Sequence, residues 1–261
     1  MTRRTLIGAM VLALLGLGGC RALPPAPPPV AVTSPEELLS RLQAREQQVK
    51  AFQAKGRITF LSPHQNYSGT ALLLGRLPAS LKVDVLDFLG RTILSFATDG
   101  REVQVLSPRD NKLFQGPATP QNLAAFIPPS VSLTQTLRLL VGALPLSPGK
   151  PDRFEYLPGS GRYLLEWAAD GALTERLGVE AQGFSPVQEE WFGGAPEPRF
   201  RAELANFGAL APGLPEKITL KSTAPKMELR LVYYELRLNP PLTPADLTLT
   251  PPPGVAVVPL Q

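Results

Sequence analysis

Side chains able to do chemistry are scarce in this sequence. Its 261 residues include one cysteine, Cys20, and one histidine, His64. One of each builds neither a disulfide nor the usual zinc and iron sites. His64 lies in Ser62-Pro63-His64-Gln65-Asn66, a composition that predicts a hairpin turn. As a general base it would need a nucleophile and an orienting acid beside it. The chain has no Gly-x-Ser-x-Gly elbow to supply that nucleophile. His64 therefore reads as a solvated turn residue. Glu189 and Glu190 resemble an acid pair, but neighbours on a strand point to opposite faces and cannot share one site. Gly159-Ser160-Gly161 lacks the Lys-Ser/Thr of a phosphate loop and reads as a turn. Trp167 and Trp191 read as core residues unless they line a cavity. No catalytic residue, no metal site and no bound cofactor follow, so the chain reads as a non-enzyme. A formal charge of +4, from 26 basic and 22 acidic side chains, also argues against a nucleic-acid partner.

The elements around these residues are mostly strands. Thirty prolines disfavour a mainly helical chain, whereas 44% hydrophobic and 18% charged residues permit a core. Arg3 and Arg4 precede an apolar stretch, Leu6–Gly18, too short to span a bilayer comfortably, so residues 1–19 read as a signal peptide. Five prolines in Pro24-Pro25-Ala26-Pro27-Pro28-Pro29 predict an extended tether over residues 20–33, rising roughly 3 Å per residue. Residues 34–261 then form one folded domain. Ser34-Pro35-Glu36-Glu37 predicts a helix start, with Leu38, Leu39, Leu42, Val49 and Phe52 at helical spacing and an end before Gly56. Short apolar or alternating runs follow, closed by turn residues, with Asp99-Gly100 and Asp170-Gly171 as two-residue hairpins. Two short helices interrupt them, one from Thr119 to Phe126 and one from Ser132 to Val141. The sum is a single curled antiparallel sheet of about 11 strands, 13 at most, with three helices to cover its apolar face. That face needs a packed core or an apolar ligand.

Leu17-Gly18-Gly19-Cys20, an aliphatic residue, two small residues and Cys, resembles the lipobox of bacterial lipoproteins. The resemblance implies a diacylglycerol on the Cys20 sulfur and cleavage before Cys20. Each buried CH₂ contributes about 0.8 kcal/mol, so two or three acyl chains hold a protein firmly to a membrane. Arg21 stands where an Asp commonly retains lipoproteins in the inner membrane, which implies the periplasmic face of the outer membrane.

The order of elements, with several local sequences, resembles the LolA/LolB family, and LolB-like lipoproteins most closely. Gly56-Arg57-Ile58 is similar to the start of the first LolB strand, and Asp87-Phe88-Leu89-Gly90 to its Pro-Leu-Gly loop. Leu133–Pro145, ending Val141-Gly142-Ala143-Leu144-Pro145, is similar to the LolB helix that ends in Gly-x-Pro. Asp246–Val255 is closer to the LolA tail. LolB-type aromatics of the second strand are replaced by Leu72, Leu73 and Leu74, and Leu140 lies near the place of a Trp. The resemblance implies an incomplete β-barrel with a helical lid over a hydrophobic cavity. It implies a monomeric acceptor that takes lipoproteins from a periplasmic LolA-like carrier and releases them into the inner leaflet of the outer membrane. Phe88 and Leu89 would then touch the membrane during release. Two other readings stay open: an anchored carrier of another lipid or apolar ligand, and a structural envelope lipoprotein whose sheet is a scaffold for partners.

Overall fold

The computed structural model describes residues 32–63, 66–124, 126–127, 131–144, 147 and 149–260. Residues 1–31, with the leader, Cys20 and most of the tether, lie outside them, as does His64.

Ser34 caps the first helix, α1 (Pro35–Gln47), its hydroxyl accepting from Glu37 N at 3.2 Å. This helix ends before Gly56 as expected, but already at Gln47, which corrects the placing of Val49 and Phe52 in it. Val49 and Phe52 have helical spacing but belong to the approach to β1 (Ala51–Leu61) and to β1 itself. The strand wins because both of its edges are paired along nearly its whole length. The Phe52 ring is fully buried over Gly75, where an added Cβ would sit 2.0 Å from a ring carbon. Gly56 lies in mid-strand at a bulge, not at a strand start, and a Cβ there would meet the Val232 carbonyl oxygen at 2.4 Å.

Five strands continue from β1: β2 (Asn66–Arg76), β3 (Ser80–Leu86), β4 (Thr92–Thr98), β5 (Glu102–Ser107) and β6 (Lys112–Pro117). Two short helices follow, α2 (Pro120–Leu123) and α3 (Leu133–Leu140). The second half holds β7 (Arg153–Leu157), β8 (Arg162–Ala169), β9 (Ala172–Glu180), β10 (Pro186–Phe192), β11 (Pro198–Ala205), β12 (Lys217–Thr223) and β13 (Lys226–Leu238). Both expected hairpins form, but only Asp170-Gly171 is a two-residue turn, with Ala169 paired to Ala172; at Asp99-Gly100 the connection is longer, with Thr98 paired to Val103. At β4–β5 Gly100 takes φ +90° while Asp99 Oδ1 accepts from Arg101 N and Glu102 N, and at β8–β9 Asp170 and Gly171 have φ of +51° and +76°.

All strands join one curled, unclosed sheet in the order β14-β6-β5-β4-β3-β2-β1-β13-β12-β11-β10-β9-β8-β7. Fourteen strands among the described residues exceed the expected 11. The strand absent from the sequence reading is β14 (Ala256–Pro259), which pairs with β6 and is parallel, in an otherwise antiparallel sheet. Four residues flanked by prolines carry little periodicity. What places them is the free edge of β6, where Gly116 leaves room for Leu260, whose carbonyl oxygen would lie 2.6 Å from an added Cβ. On the way the tail leaves a short 3₁₀ turn, Ala245–Leu247, against β2 and β3, and Leu249 packs with Ala97 and Leu113 in a small cluster apart from the main core.

The main core lies on the inner face. Leu38 of α1 and Leu137 and Leu139 of α3 are fully buried there, against Phe52, Leu165, Leu177, Phe200 and Tyr233 from the sheet. Helix α3 is fixed at its start by a reciprocal Ser132–Gln135 capping box. At its end Tyr233 Oη donates to Leu140 O at 2.9 Å. Arg138 ties it to α1 through a 2.5 Å ion pair with Glu46.

Candidate functional site

The loop between β3 and β4 is built to expose apolar side chains. Asp87 organises it. Its Oδ1 accepts from Leu89 N at 2.8 Å and Arg91 N at 2.9 Å, and its Oδ2 accepts from Arg91 Nε at 2.8 Å. These bonds, those of the Arg91 amide first, hold the Asp87 carboxyl below its ordinary value. The backbone closes the same turn, with Gly90 N on Asp87 O at 3.0 Å and Asp87 N on Arg91 O at 2.9 Å. Gly90 completes it at φ +78°. With the backbone of the loop so occupied, Phe88 and Leu89 stand outward, 93% and 62% exposed. They do not fold back on the core. Single exposed apolar residues are ordinary on protein surfaces; here two adjacent ones are held out by a hydrogen-bonded turn.

Inside the sheet the structure differs from the expectation. The resemblance implied an open hydrophobic cavity under the lid. Among the described residues that space is filled by leucines of α1 and α3. Beside them lie a small space of about 20 Å³ bordered by Leu42, Val49, Val141 and Leu214, and another of about 30 Å³ bordered by Phe60, Phe126, Phe200 and Leu229. Two larger clefts are open to solvent. One, of about 740 Å³, has a largely polar lining that includes Arg45, Arg162, Glu180 and Gln188. The other, of about 490 Å³, lies between the lid helices and the sheet rim, lined by Ala79, Leu123, Ile127, Val131 and Leu133. Its size falls within the ~300–1,000 Å³ range of small-ligand sites.

Glu189 and Glu190 do point to opposite faces. Glu190 is outward, in ion pairs with Arg176 (3.3 Å) and Arg201 (2.5 Å). Glu189 is inward and fully buried, and there it meets Glu175 of β9, a residue absent from the sequence reading. Trp191 Nε1 donates to Glu189 Oε1 and Ser147 N to Glu175 Oε2, both at 3.0 Å. The two remaining oxygens, Glu175 Oε1 and Glu189 Oε2, receive no donor from other groups. The two carboxyls lie within hydrogen-bond reach of each other, an arrangement that requires one of them to keep its proton. Burial raises the pKa of both acids, and for Glu189 the Glu175 charge adds to it. A usable signal was present: Leu177 and Val179 alternate with Glu175, and Val187 and Trp191 with Glu189, which puts both acids on the apolar face. The pair lies beneath the lid, with the Arg138 charge acting on Glu189. Both tryptophans are at this face too, Trp167 buried and Trp191 stacked on Phe200 at 4.9 Å.

No family model matches the sequence, and no curated protein matches it. Solved structures do share its fold. A LolA superfamily protein from Nitrosomonas europaea is similar at 15% identity over 84% of this chain and 99% of its own, with a TM-score of 0.51. A putative outer membrane lipoprotein-sorting protein domain from Vibrio parahaemolyticus is 11% identical over 81% of this chain and 94% of its own, TM-score 0.53. A DUF1329 family protein from Desulfovibrio piger reaches 0.55 at 9% identity, over 81% of this chain and 95% of its own. The chain thus has the LolA-like fold, as its sequence implied. Among the described residues no helix is long and apolar enough to cross a membrane.

Proposed function

We propose that the protein is an envelope lipoprotein, anchored through Cys20 at the periplasmic face of the outer membrane, which accepts acylated proteins from a periplasmic carrier and delivers them to the inner leaflet. One observation carries this reading above all: the rigid Asp87–Arg91 turn that holds Phe88 and Leu89 in solvent. Burying such side chains in a bilayer contributes about 1.5–3 kcal/mol each when complete, which brings the mouth of the sheet against the lipid. No covalent step is involved. Acyl chains gain the same burial free energy, ~25 cal/mol per Å², in a protein cavity or in a membrane, so a small difference between sites moves them. The leucines of α1 and α3 fill the inner face without a ligand, so an acyl chain enters by displacing the lid. The cleft of about 490 Å³ beside α2 and α3 is open for its approach.

Depletion of the protein tests the reading. Mature lipoproteins should accumulate on the periplasmic carrier; if they sort normally, the acceptor role is wrong. The same apolar cleft also favours a second reading, an anchored carrier of another lipid, which normal sorting together with retention of that lipid by the purified protein would support.

A further inference from the structure

The Glu175–Glu189 pair is kept from water from the lid side. Glu175 lies opposite Trp191 and Glu189 opposite Leu177, so the two acids are diagonal neighbours on the inner face of β9 and β10, close enough for long side chains to meet. Both are buried. Ser147, in the connection from α3 to β7, donates its N to Glu175 Oε2, and Trp191 Nε1 donates to Glu189 Oε1. The remaining oxygen of each acid has only the other acid to meet. A hydrogen bond between two carboxyls contains a proton, so the closed lid stores one there.

The charges around the pair do not replace that proton. Arg138 of α3 acts on Glu189 across the lid, yet its guanidinium holds Glu46 of α1 at 2.5 Å, and its buried Nε has no acceptor. No bond from Arg138 therefore supports an ionised Glu189. Glu166, Arg176, Glu190 and Arg201 stand on the same part of the sheet but pair with one another on its outer face. Burial, and for Glu189 also the charge of Glu175, raises both acids above the ordinary glutamate value near 4.5 while the lid is closed. Water admitted by a displaced α3 removes the burial cost and lets them fall back toward it.

We propose that the pair is a proton-linked latch on the lid: an acyl chain that displaces α3 exposes Glu189, whose carboxyl gives its proton to water, so acyl binding tightens as pH rises and the lid holds more firmly as pH falls. Between the ordinary glutamate value and the raised one, the closed state binds one proton more than the open state. Across that window a single proton changes the affinity by up to about tenfold per pH unit, and outside it the affinity is flat. The latch rests on the reading that an acyl chain enters by displacing the lid, and adds to it the condition under which entry is easiest.

The test is calorimetric titration of residues 20–261 carrying Cys20→Ala, which include every described element, with monodecanoylglycerol, an acyl ligand that has no titrating group. Heats measured at one pH in two buffers of unlike ionisation enthalpy count the protons released. Up to one proton should leave per ligand bound, and the affinity should climb from about pH 5 to pH 8. Glu189→Gln keeps an oxygen for Trp191 Nε1 and offers an amide N–H in place of the proton, so it should release none and bind with one affinity across the range. Glu175→Gln is the second variant, and near-ultraviolet circular dichroism reports which variants are folded. Equal heats in both buffers with an affinity independent of pH overturn the latch and leave acyl entry standing. Release that persists in the folded amide variants also overturns it. No binding at any pH overturns the acyl-entry reading, and the latch with it.

Discussion

Replacing both exposed residues of the β3–β4 loop, Phe88→Ala with Leu89→Ala, should weaken membrane partitioning about a hundredfold or more. Complete burial of a large apolar side chain contributes about 1.5–3 kcal/mol. Phe88 is 93% exposed and has nearly all of that to gain, about 2–3 kcal/mol, whereas Leu89 at 62% has about 1–2 kcal/mol left. Their sum, about 3–5 kcal/mol, corresponds to about 2–3.5 decades in a partition coefficient at about 1.4 kcal/mol per decade. The assay is vesicle flotation of residues 20–261 produced without the leader and with Cys20→Ala, so that no lipid on residue 20 masks the loop. Thermal midpoints should stay near the wild-type value, because neither side chain packs in the core. Asp87→Ala supplies an independent arm: the apolar side chains remain, but the turn loses the bonds to Leu89 N, Arg91 N and the Arg91 guanidinium. Partitioning should then fall by less than in the double variant, because only the cost of ordering the loop has been added. A double variant that partitions within threefold of wild type refutes the reasoning.

Acyl ligands should change the intrinsic fluorescence, since Trp167 and Trp191 both face the lid; an unchanged spectrum at saturating fatty acid would place the ligand elsewhere. Glu189→Gln should flatten the pH dependence of stability. The raised pKa values mean that the folded pair binds more protons than the unfolded chain, so its stabilisation is complete below the ordinary glutamate range near 4.5 and is lost as pH rises through the folded values. Denaturant midpoints from pH 4 to 8 check this: wild type should lose stability across the window and the amide variant lose less. Tyr233→Phe strands the buried Leu140 carbonyl, should cost about 1–3 kcal/mol, and should speed amide exchange in α3 more than in β12. Gly75→Ala should destabilise strongly, since the Phe52 ring must move to admit a methyl, and a loss under 0.5 kcal/mol would contradict the packing described.

Local signals carried much of this architecture. Asp170-Gly171 encodes its hairpin in two residues, Asp99-Gly100 marks another whose loop also takes in Arg101, and the Ser132 cap and the Asp87–Gly90 turn are equally local. What failed was set by partners distant in sequence. Val49 and Phe52 keep a helical period, yet β13, some 180 residues on, takes β1 into the sheet. The four residues of β14 have no pattern of their own and are strand only because β6 offers an edge. The filled inner face was also beyond reach, because alternation shows which residues turn inward but not whether lid leucines occupy the space between them. The Glu175–Glu189 pair was legible from alternation on each strand, but their meeting depended on the register between β9 and β10.

The seam between β1 and β13 has a kinetic consequence. Phe52 pairs with Leu238, and Leu61 with Glu228, whereas most other neighbours in the sheet are hairpins. Each arm, β2–β6 on one side and β7–β12 on the other, is assembled from local contacts and is free to form early. Joining them closes a loop of well over a hundred residues, a slow step of high contact order. Until β13 is available, β1 has only one partner and the inner face is uncovered on that side. A newly made chain of this design passes an interval with an apolar half-sheet exposed, which invites aggregation until the seam closes.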